Sequence, residues 1–344
     1  PLNETSEVFD VLKRLLSAVQ APIMIGELEL DVRLCIGVSL FPADHTDATA
    51  LIRAAIIAMH QARKQGRAYA LYEPEQDAAG RRRVGMAVQL KRAIEGDQLL
   101  LHYQPKVDMR SRRCCGVEAL VRWSHPSRGL IPPDEFIAHA EQSGLIGALT
   151  EWVLAAAWRD REVWRGAGLH LPIAINLSAH NLRDTDMIDK IQEYARRSSS
   201  PWLELEITEG AVIEDPEVAI RSLKRLSDQG VQLFVDDFGV GYSTFGYLKQ
   251  LPVSGVKIDK SFVIDMLTNA ESATIVRSMI GMAHGLNRTI VAEGVESQAV
   301  WDRLAQMGCD HAQGYHISRP LPAEQLLAFV ERTAPGDRRE MSER

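Results

Sequence analysis

Cysteine is scarce in this sequence. The four present, Cys35, Cys114, Cys115 and Cys309, show neither metal-ligand spacing nor a disulfide framework, so reduced thiols in a cytoplasmic protein are the expectation. No apolar run approaches the roughly 20 residues that a membrane span needs, and no signal peptide is visible. An excess of basic charge is also missing. The formal net charge is −7 over 344 residues, which argues against a general binder of nucleic-acid polymers. It does not exclude a phosphate substrate, because divalent cations can supply positive charge. The chain begins at Pro1 rather than Met. It therefore reads as a fragment, with room upstream for sensory or membrane-anchoring segments.

What is present is the composition of an ordinary globular protein, long enough for two domains. In residues 6–20, Val8, Val11, Leu12, Leu15, Leu16 and Val19 recur at helical spacing. After a break at Ala21-Pro22, alternation through Leu30, Val32, Leu34, Ile36 and Val38 predicts a strand over 28–41. Asp47 is placed to cap a following helix that stops at Gly66, and 68–72 is a short closing strand. Residues 1–77 thus predict a partial α/β domain. Residues 78–97 predict a connecting helix, with Val84, Ala87, Leu90 and Ile94 as its apolar stripe. Repeated βα units fill 98–333, and the polar residues 334–344 are expected to be disordered.

Residues 233–260 organise the chain. Leu233-Phe234-Val235 runs into Asp236-Asp237, a glycine-rich loop follows, and a second apolar strand ends in Lys257-Ile258-Asp259. Taken alone, the Asp pair also fits a helix N-cap. About eight such strands interleaved with helices match one (β/α)-barrel, and the element count also fits a doubly wound open sheet. Alternation sharpens the reading. Ile173, Ile175 and Leu177 oppose Ala174, Asn176 and Ser178, while Leu203, Leu205 and Ile207 oppose Glu204, Glu206 and Thr208. Val256 and Ile258 likewise oppose Lys257 and Asp259, and Ile290 and Ala292 oppose Val291 and Glu293. One parity suits packing under helices and the other carries polar groups to the strand ends. Solvated rim acids are the plain alternative. Carboxylates that converged there would need cations to neutralise them, and an all-oxygen donor set suits Mg²⁺ or Mn²⁺.

Two resemblances follow. Ile36-Gly37-Val38-Ser39, Ala58-Met59-His60-Gln61-Ala62-Arg63 and Gly66-Arg67 resemble the C-terminal half of a GGDEF (diguanylate cyclase) domain. Ile56, His60 and Arg63 stand where that family usually has Asp, Tyr and Lys. The Gly-Gly-Asp-Glu-Phe loop is absent, so a packing or regulatory remnant is expected rather than a cyclase.

Residues 98–333 resemble the EAL family of cyclic-di-GMP phosphodiesterases. The resemblance rests on Tyr103-Gln104-Pro105, Glu118-Ala119-Leu120-Val121-Arg122-Trp123, Asn176-Leu177-Ser178, Glu206-Ile207-Thr208-Glu209, Asp236-Asp237-Phe238-Gly239, Lys257-Ile258-Asp259, Glu293-Gly294-Val295-Glu296 and Gln313-Gly314-Tyr315. It implies a modified TIM-like (β/α)8 barrel whose first strand is antiparallel. It implies one metal on Glu118, Asn176, Glu206 and Asp236, and a second shared by Asp236, Asp237 and Glu293. Lys257 would orient or activate a hydroxide held between the two ions, and a salt bridge to Asp259 is the plain alternative for it. Glu209 would brace the loop after the Asp pair. Gln104, Leu120, Arg122, Asp259, Glu296 and Gln313 would contact the substrate, and the guanidinium of Arg122 suits phosphate.

The implied reaction is hydrolysis of cyclic-di-GMP to linear pGpG by a homodimer joined through the barrel, in bacterial second-messenger control of motility and biofilm. In the loop, Val240 and Thr244 stand where the family more often has Thr and Ser. A lost hydroxyl there would cost about 0.5–1.5 kcal/mol of a hydrogen bond. The alternative is a catalytically weak receptor of cyclic-di-GMP that signals through its N-terminal region. A barrel lyase with Lys257 as a Schiff-base amine is a third class, opposed by the carboxylates that would keep Lys257 protonated.

Overall fold

The computed structural model describes residues 5–18, 23–25, 28–30, 34–240 and 248–333. The expected disordered tail 334–344, the loop residues 241–247 with Thr244, and the side chain of Val84 lie outside the described residues. The chain divides into two compact units, residues 1–86 and 87–344.

The first unit runs α1 (Thr5–Ala18), β1 (Ile23–Ile25), β2 (Leu28–Leu30), β3 (Ile36–Val38), α2 (Ala48–Lys64) and β4 (Tyr69–Leu71), then enters α3 (Pro74–Glu95). Asp47 caps α2 as its position predicts, accepting the Ala50 N–H at 2.8 Å. The single strand expected over 28–41 is instead two. β2 pairs antiparallel with β1, whereas β3 pairs in parallel with β4. Alternation in sequence does not reveal a change of partner. Gly37 lets β3 approach α2 closely, because a Cβ there would stand 1.8 Å from the Ala55 carbonyl oxygen. The buried face of α2 is correspondingly small: Ala54, Ala58 and Ala62.

The second unit is a closed barrel. β5 (Leu99–Asp108) and β6 (Cys114–His125) form a long hairpin, and β7 (Gly129–Ile131) extends it. Then come α4 (Pro133–Gln142), α5 (Ile146–Gly166), β8 (Ile173–Leu177), α6 (Ala179–Arg183), α7 (Thr185–Arg196), β9 (Leu203–Thr208), α8 (Glu209–Glu214), α9 (Pro216–Ser227), β10 (Gln232–Phe238) and β11 (Gly255–Ile258). The chain ends through α10 (Lys260–Asp265), α11 (Ala270–Gly285), β12 (Thr289–Ala292), α12 (Gln298–Met307), β13 (His311–Ala312), β14 (Leu321–Pro322) and α13 (Ala323–Thr333).

The ring closes in the order β5, β6, β8, β9, β10, β11, β12, β13 and back to β5. Ring neighbours from β6 round to β13 pair in parallel, while β5 is antiparallel to both of its ring neighbours. Closure excludes the open-sheet alternative and confirms the reversed first strand. The eighth strand of the ring, β13, is only His311–Ala312.

The apolar parity packs outward under the helices. Ile173, Ile175, Leu203, Leu205, Ile207, Val256, Ile258 and Ile290 are all buried. At about 25 cal/mol per Å² of apolar area, this shell is the main force holding the barrel. Polar residues at strand ends start the next helices: Ser178 caps α6, Thr208 caps α8 and Asp259 caps α10. The opposite parity is thereby left to line the barrel interior.

Candidate active site

Five carboxylates meet one ammonium inside the barrel mouth. Lys257 Nζ lies 2.5 Å from Glu293, 2.6 Å from Glu206, 3.2 Å from Asp236 and 3.6 Å from Glu118. The Lys257 and Glu206 residues are each 1% exposed, so the solvated-rim reading fails for them. The sequence alternative for Lys257, a salt bridge to Asp259, gives way to these four partners. Asp259 accepts the N–H and O–H of Ser261 instead.

One carboxylate oxygen from each of Asp236, Asp237 and Glu293 lies within 4.8 Å of the others. Adjacent strand residues ordinarily face opposite sides. Here the β10–β11 register shifts between Val235 and Phe238, and Asp237 takes φ +52°. That bulge turns both acids to one side. It also carries backbone strain that is uncommon outside glycine and tolerated best by Asn and Asp.

Around this core, Asn176 Nδ2 donates to Glu118 Oε1 at 2.8 Å, and Gln313 Nε2 donates to Glu118 Oε2 at 2.6 Å. Gln313 also donates to Gln104 Oε1 at 3.1 Å, and Gln104 donates to the Ser318 carbonyl. Glu209 is buried and accepts the Gly239 N–H at 3.3 Å, on the first residues of the loop that follows the Asp pair. Val240 is exposed. Leu120 and Arg122 are half-buried on β6, and Glu296 is exposed beyond β12. Thus Gln313 joins the acid cluster directly, and Gln104 joins it through Gln313. Asp259 meets the cluster at Asp237, whose carboxyl it helps to raise, and Arg122 lies near enough to Glu118 for their charges to interact.

The charge balance is unequal, and the titration of the groups shows it. Burial, then repulsion from Glu118 and Asp236, pushes the Glu206 carboxyl well above the usual range despite Lys257. Burial is also the leading cause for Glu293, pushed up to about 7. Asp237 is raised by burial and by Asp236 and Asp259. For Glu118 burial works the same way, but Lys257, Gln313 and Asn176 outweigh it and hold its carboxyl low. Burial disfavours the Lys257 ammonium, yet the surrounding carboxylates outweigh it and raise its pKa well above the ordinary lysine value. A lysine so held is a poor nucleophile, which counts against the Schiff-base reading.

The donor set fits hard divalent cations. It is all oxygen, it carries more negative charge than Lys257 offsets, and among the described residues Glu206 Oε1 is buried without a hydrogen-bond partner.

Sequence reasoning gave no role to Lys106 or Glu204. They form a buried ion pair deeper in the barrel. The available signal was parity: Glu204 alternates onto the same side as Glu206, and Lys106 onto that of Gln104.

A closed (β/α)8 barrel with one reversed strand and an acid cluster across its mouth defines the class of protein. Residues 87–320 match the EAL domain family, and the chain belongs to it. Residues 1–69 match the family described as diguanylate cyclase, GGDEF domain. The chain is 38% identical over 332 residues to the bifunctional diguanylate cyclase/cyclic di-GMP phosphodiesterase MucR of Pseudomonas aeruginosa, covering 95% of this chain and 48% of that one. It is 36% identical over 322 residues to the cyclic di-GMP phosphodiesterase PdeR of Escherichia coli, covering 93% and 49%. The chain therefore spans about half the length of these relatives. The solved structure of the PaMucR phosphodiesterase in a c-di-GMP complex superposes with a TM-score of 0.67 at 41% identity, covering 70% of this chain and 99% of that one. The FimX EAL domain from Pseudomonas aeruginosa bound to c-di-GMP gives 0.63 at 26% identity, covering 69% and 96%.

Proposed function

We propose that this chain hydrolyses cyclic-di-GMP to linear pGpG with two bound divalent cations, Mg²⁺ or Mn²⁺. The observation that carries the reading is the cluster itself. Five carboxylates around one ammonium leave a formal excess of four negative charges, which two divalent cations would neutralise. Glu118, Asn176, Glu206, Asp236, Asp237 and Glu293 would hold them. When bound, the pair would lower the pKa of water and offset the charge that develops on the phosphoryl oxygens.

The chain's own groups do the rest. Lys257, held by four carboxylates, would donate a hydrogen bond that orients the attacking water. Arg122 would bind a substrate phosphate, because its guanidinium keeps its charge and matches phosphate geometry. Gln104 and Gln313 form the polar floor against which a phosphodiester rests, with Leu120, Asp259 and Glu296 as further contacts. Glu209 holds the start of the loop after Asp237 and so steadies that acid. The similarity to MucR and PdeR supports the same substrate. We further assign residues 98–333 as the catalytic barrel acting as a homodimer in the cytoplasm, with 1–77 as a regulatory remnant in second-messenger signalling.

The test is chromatographic detection of pGpG with Mg²⁺, with Mn²⁺ and with chelator. Metal-dependent product that vanishes in Glu118→Ala is expected. Full activity in that variant, or tight binding of cyclic-di-GMP with no product in either metal, would reject the enzyme.

A further inference from the structure

Below the acid cluster the barrel carries a second polar layer, and its residues stand two positions from those of the site. Lys106 follows Gln104 by two on β5. Glu204 precedes Glu206 on β9, Phe234 precedes Asp236 on β10, and Gly116 precedes Glu118 on β6. In a strand such neighbours share a face, so this layer is the footing on which the site residues sit. Lys106 joins it together. Its ammonium bonds to Glu204 and lies 4.9 Å from the centre of the Phe234 ring. Its Cε would be 3.1 Å from a Cβ on Gly116.

Glycines make the room. Gly116 admits the lysine stem, and a Cβ on Gly255, two before Lys257, would stand 2.5 Å from the Phe234 ring. Lys106 is 2% exposed and Glu204 4%. Barrel interiors are ordinarily filled with Val, Ile and Leu, and an apolar pair of similar volume is often as stable as a buried ion pair. Stability alone therefore gives no reason for Lys106 and Glu204. Their geometry does: the pair crosses from the single reversed strand to β9, which is not its neighbour in the ring. It fixes β9 against β5 directly beneath Glu206, Glu118 and Gln104.

We propose that Lys106 and Glu204 are positioning residues that set the placement of Glu206 and Asp236 for divalent-cation binding. This rests on the functional reading above. Neither residue touches the substrate; Lys106 acts through Glu204 and the Phe234 ring.

The experiment uses the full 344-residue chain and the double variant Lys106→Met/Glu204→Leu, which leaves no lone buried charge. Thermal midpoint, Mn²⁺ affinity by calorimetry, and kcat and KM are measured. The expected result is a folded protein with Mn²⁺ affinity and kcat each lowered about tenfold or more, and KM little changed. Glu204→Asp, which keeps a carboxylate for Lys106, is expected to retain most of both. Mn²⁺ affinity and kcat equal to the unsubstituted chain would overturn the positioning role. If the double variant does not fold, Lys106→Met/Glu204→Gln, closer in volume, decides the same question with the same two outcomes. Absence of Mn²⁺ binding and of pGpG in the unsubstituted chain would overturn this inference and the functional reading together, which separates the two failures.

Discussion

Asp236 and Asp237 are consecutive residues of one strand, yet both present a carboxylate to the same site. A register shift in β10 and a left-handed backbone at Asp237 make this possible. The bulge brings one more acid to the mouth than an unbroken strand would. It also binds the geometry of the site to the loop that follows, whose Gly239 N–H rests on Glu209.

Asp237→Asn separates charge from backbone strain, because Asn tolerates the left-handed region nearly as well as Asp. The expected outcome is a thermal midpoint in chelator that is kept or raised, because the substitution removes a charge repelled by Asp236 and Asp259, and a loss of kcat of about a hundredfold or more. Asp237→Ala is expected to lose stability as well. Thermal melts and pGpG chromatography on the two variants check this.

Lys257→Met leaves Glu118, Glu206, Asp236 and Glu293 facing one another without an internal cation. Removing one side of such a buried ionic cluster costs about 3–5 kcal/mol, measurable by denaturant titration in chelator. Mn²⁺ is expected to recover much of that stability, since cations bind the folded acids. Activity is expected to stay lost, because the donor that orients water is gone.

The metal-free protein is expected to lose stability as pH rises from about 4.5 to about 7. Burial raises Glu293 to about 7 in the folded chain, against 4.5 for an ordinary glutamate. Between those values the folded state holds the proton and the unfolded state does not, so each rise in pH favours unfolding. Glu206, also raised by burial, acts with the same sign. Glu118 has the opposite sign: its depressed pKa gives stability that is lost as pH falls below the usual carboxylate value. Denaturant titrations in chelator across pH 4–8, roughly the window set by these values, read the slope. Saturating Mn²⁺ is expected to flatten or reverse it, because the bound cation requires the ionised carboxylates.

Glu209→Ala removes the acceptor from the Gly239 N–H and is expected to lower kcat about tenfold, by analogy with other groups that brace metal ligands. Glu209→Gln keeps an acceptor and is expected to retain most activity. Equal, undiminished kcat in both variants would show that the brace does not reach the chemistry.

Much of the site was legible before folding. The acids, Asn176 and Lys257 stand out because charge at the end of an apolar strand is costly unless something uses it. Period-two alternation assigned Asn176, Glu206 and Lys257 to the interior face. The breaks in that legibility are local. The strand expected over 28–41 divides because its two parts take different partners, β1 and β4. The eighth strand shrinks to two residues, and Gln313 reaches the site from beyond its end.

By itself, then, the sequence determined the repeated βα units, their alternating parity and the chemical character of the strand ends, since alternation and strand-end charge are properties of a segment and its neighbours. Only the tertiary structure decided the rest. It turned Asp237 beside Asp236 by a bulge, gave Lys257 four carboxylate partners in place of Asp259, and brought Lys106 to Glu204 across 98 residues of chain. Those contacts depend on which strands lie opposite one another when the ring closes, and ring closure is set by all eight strands together.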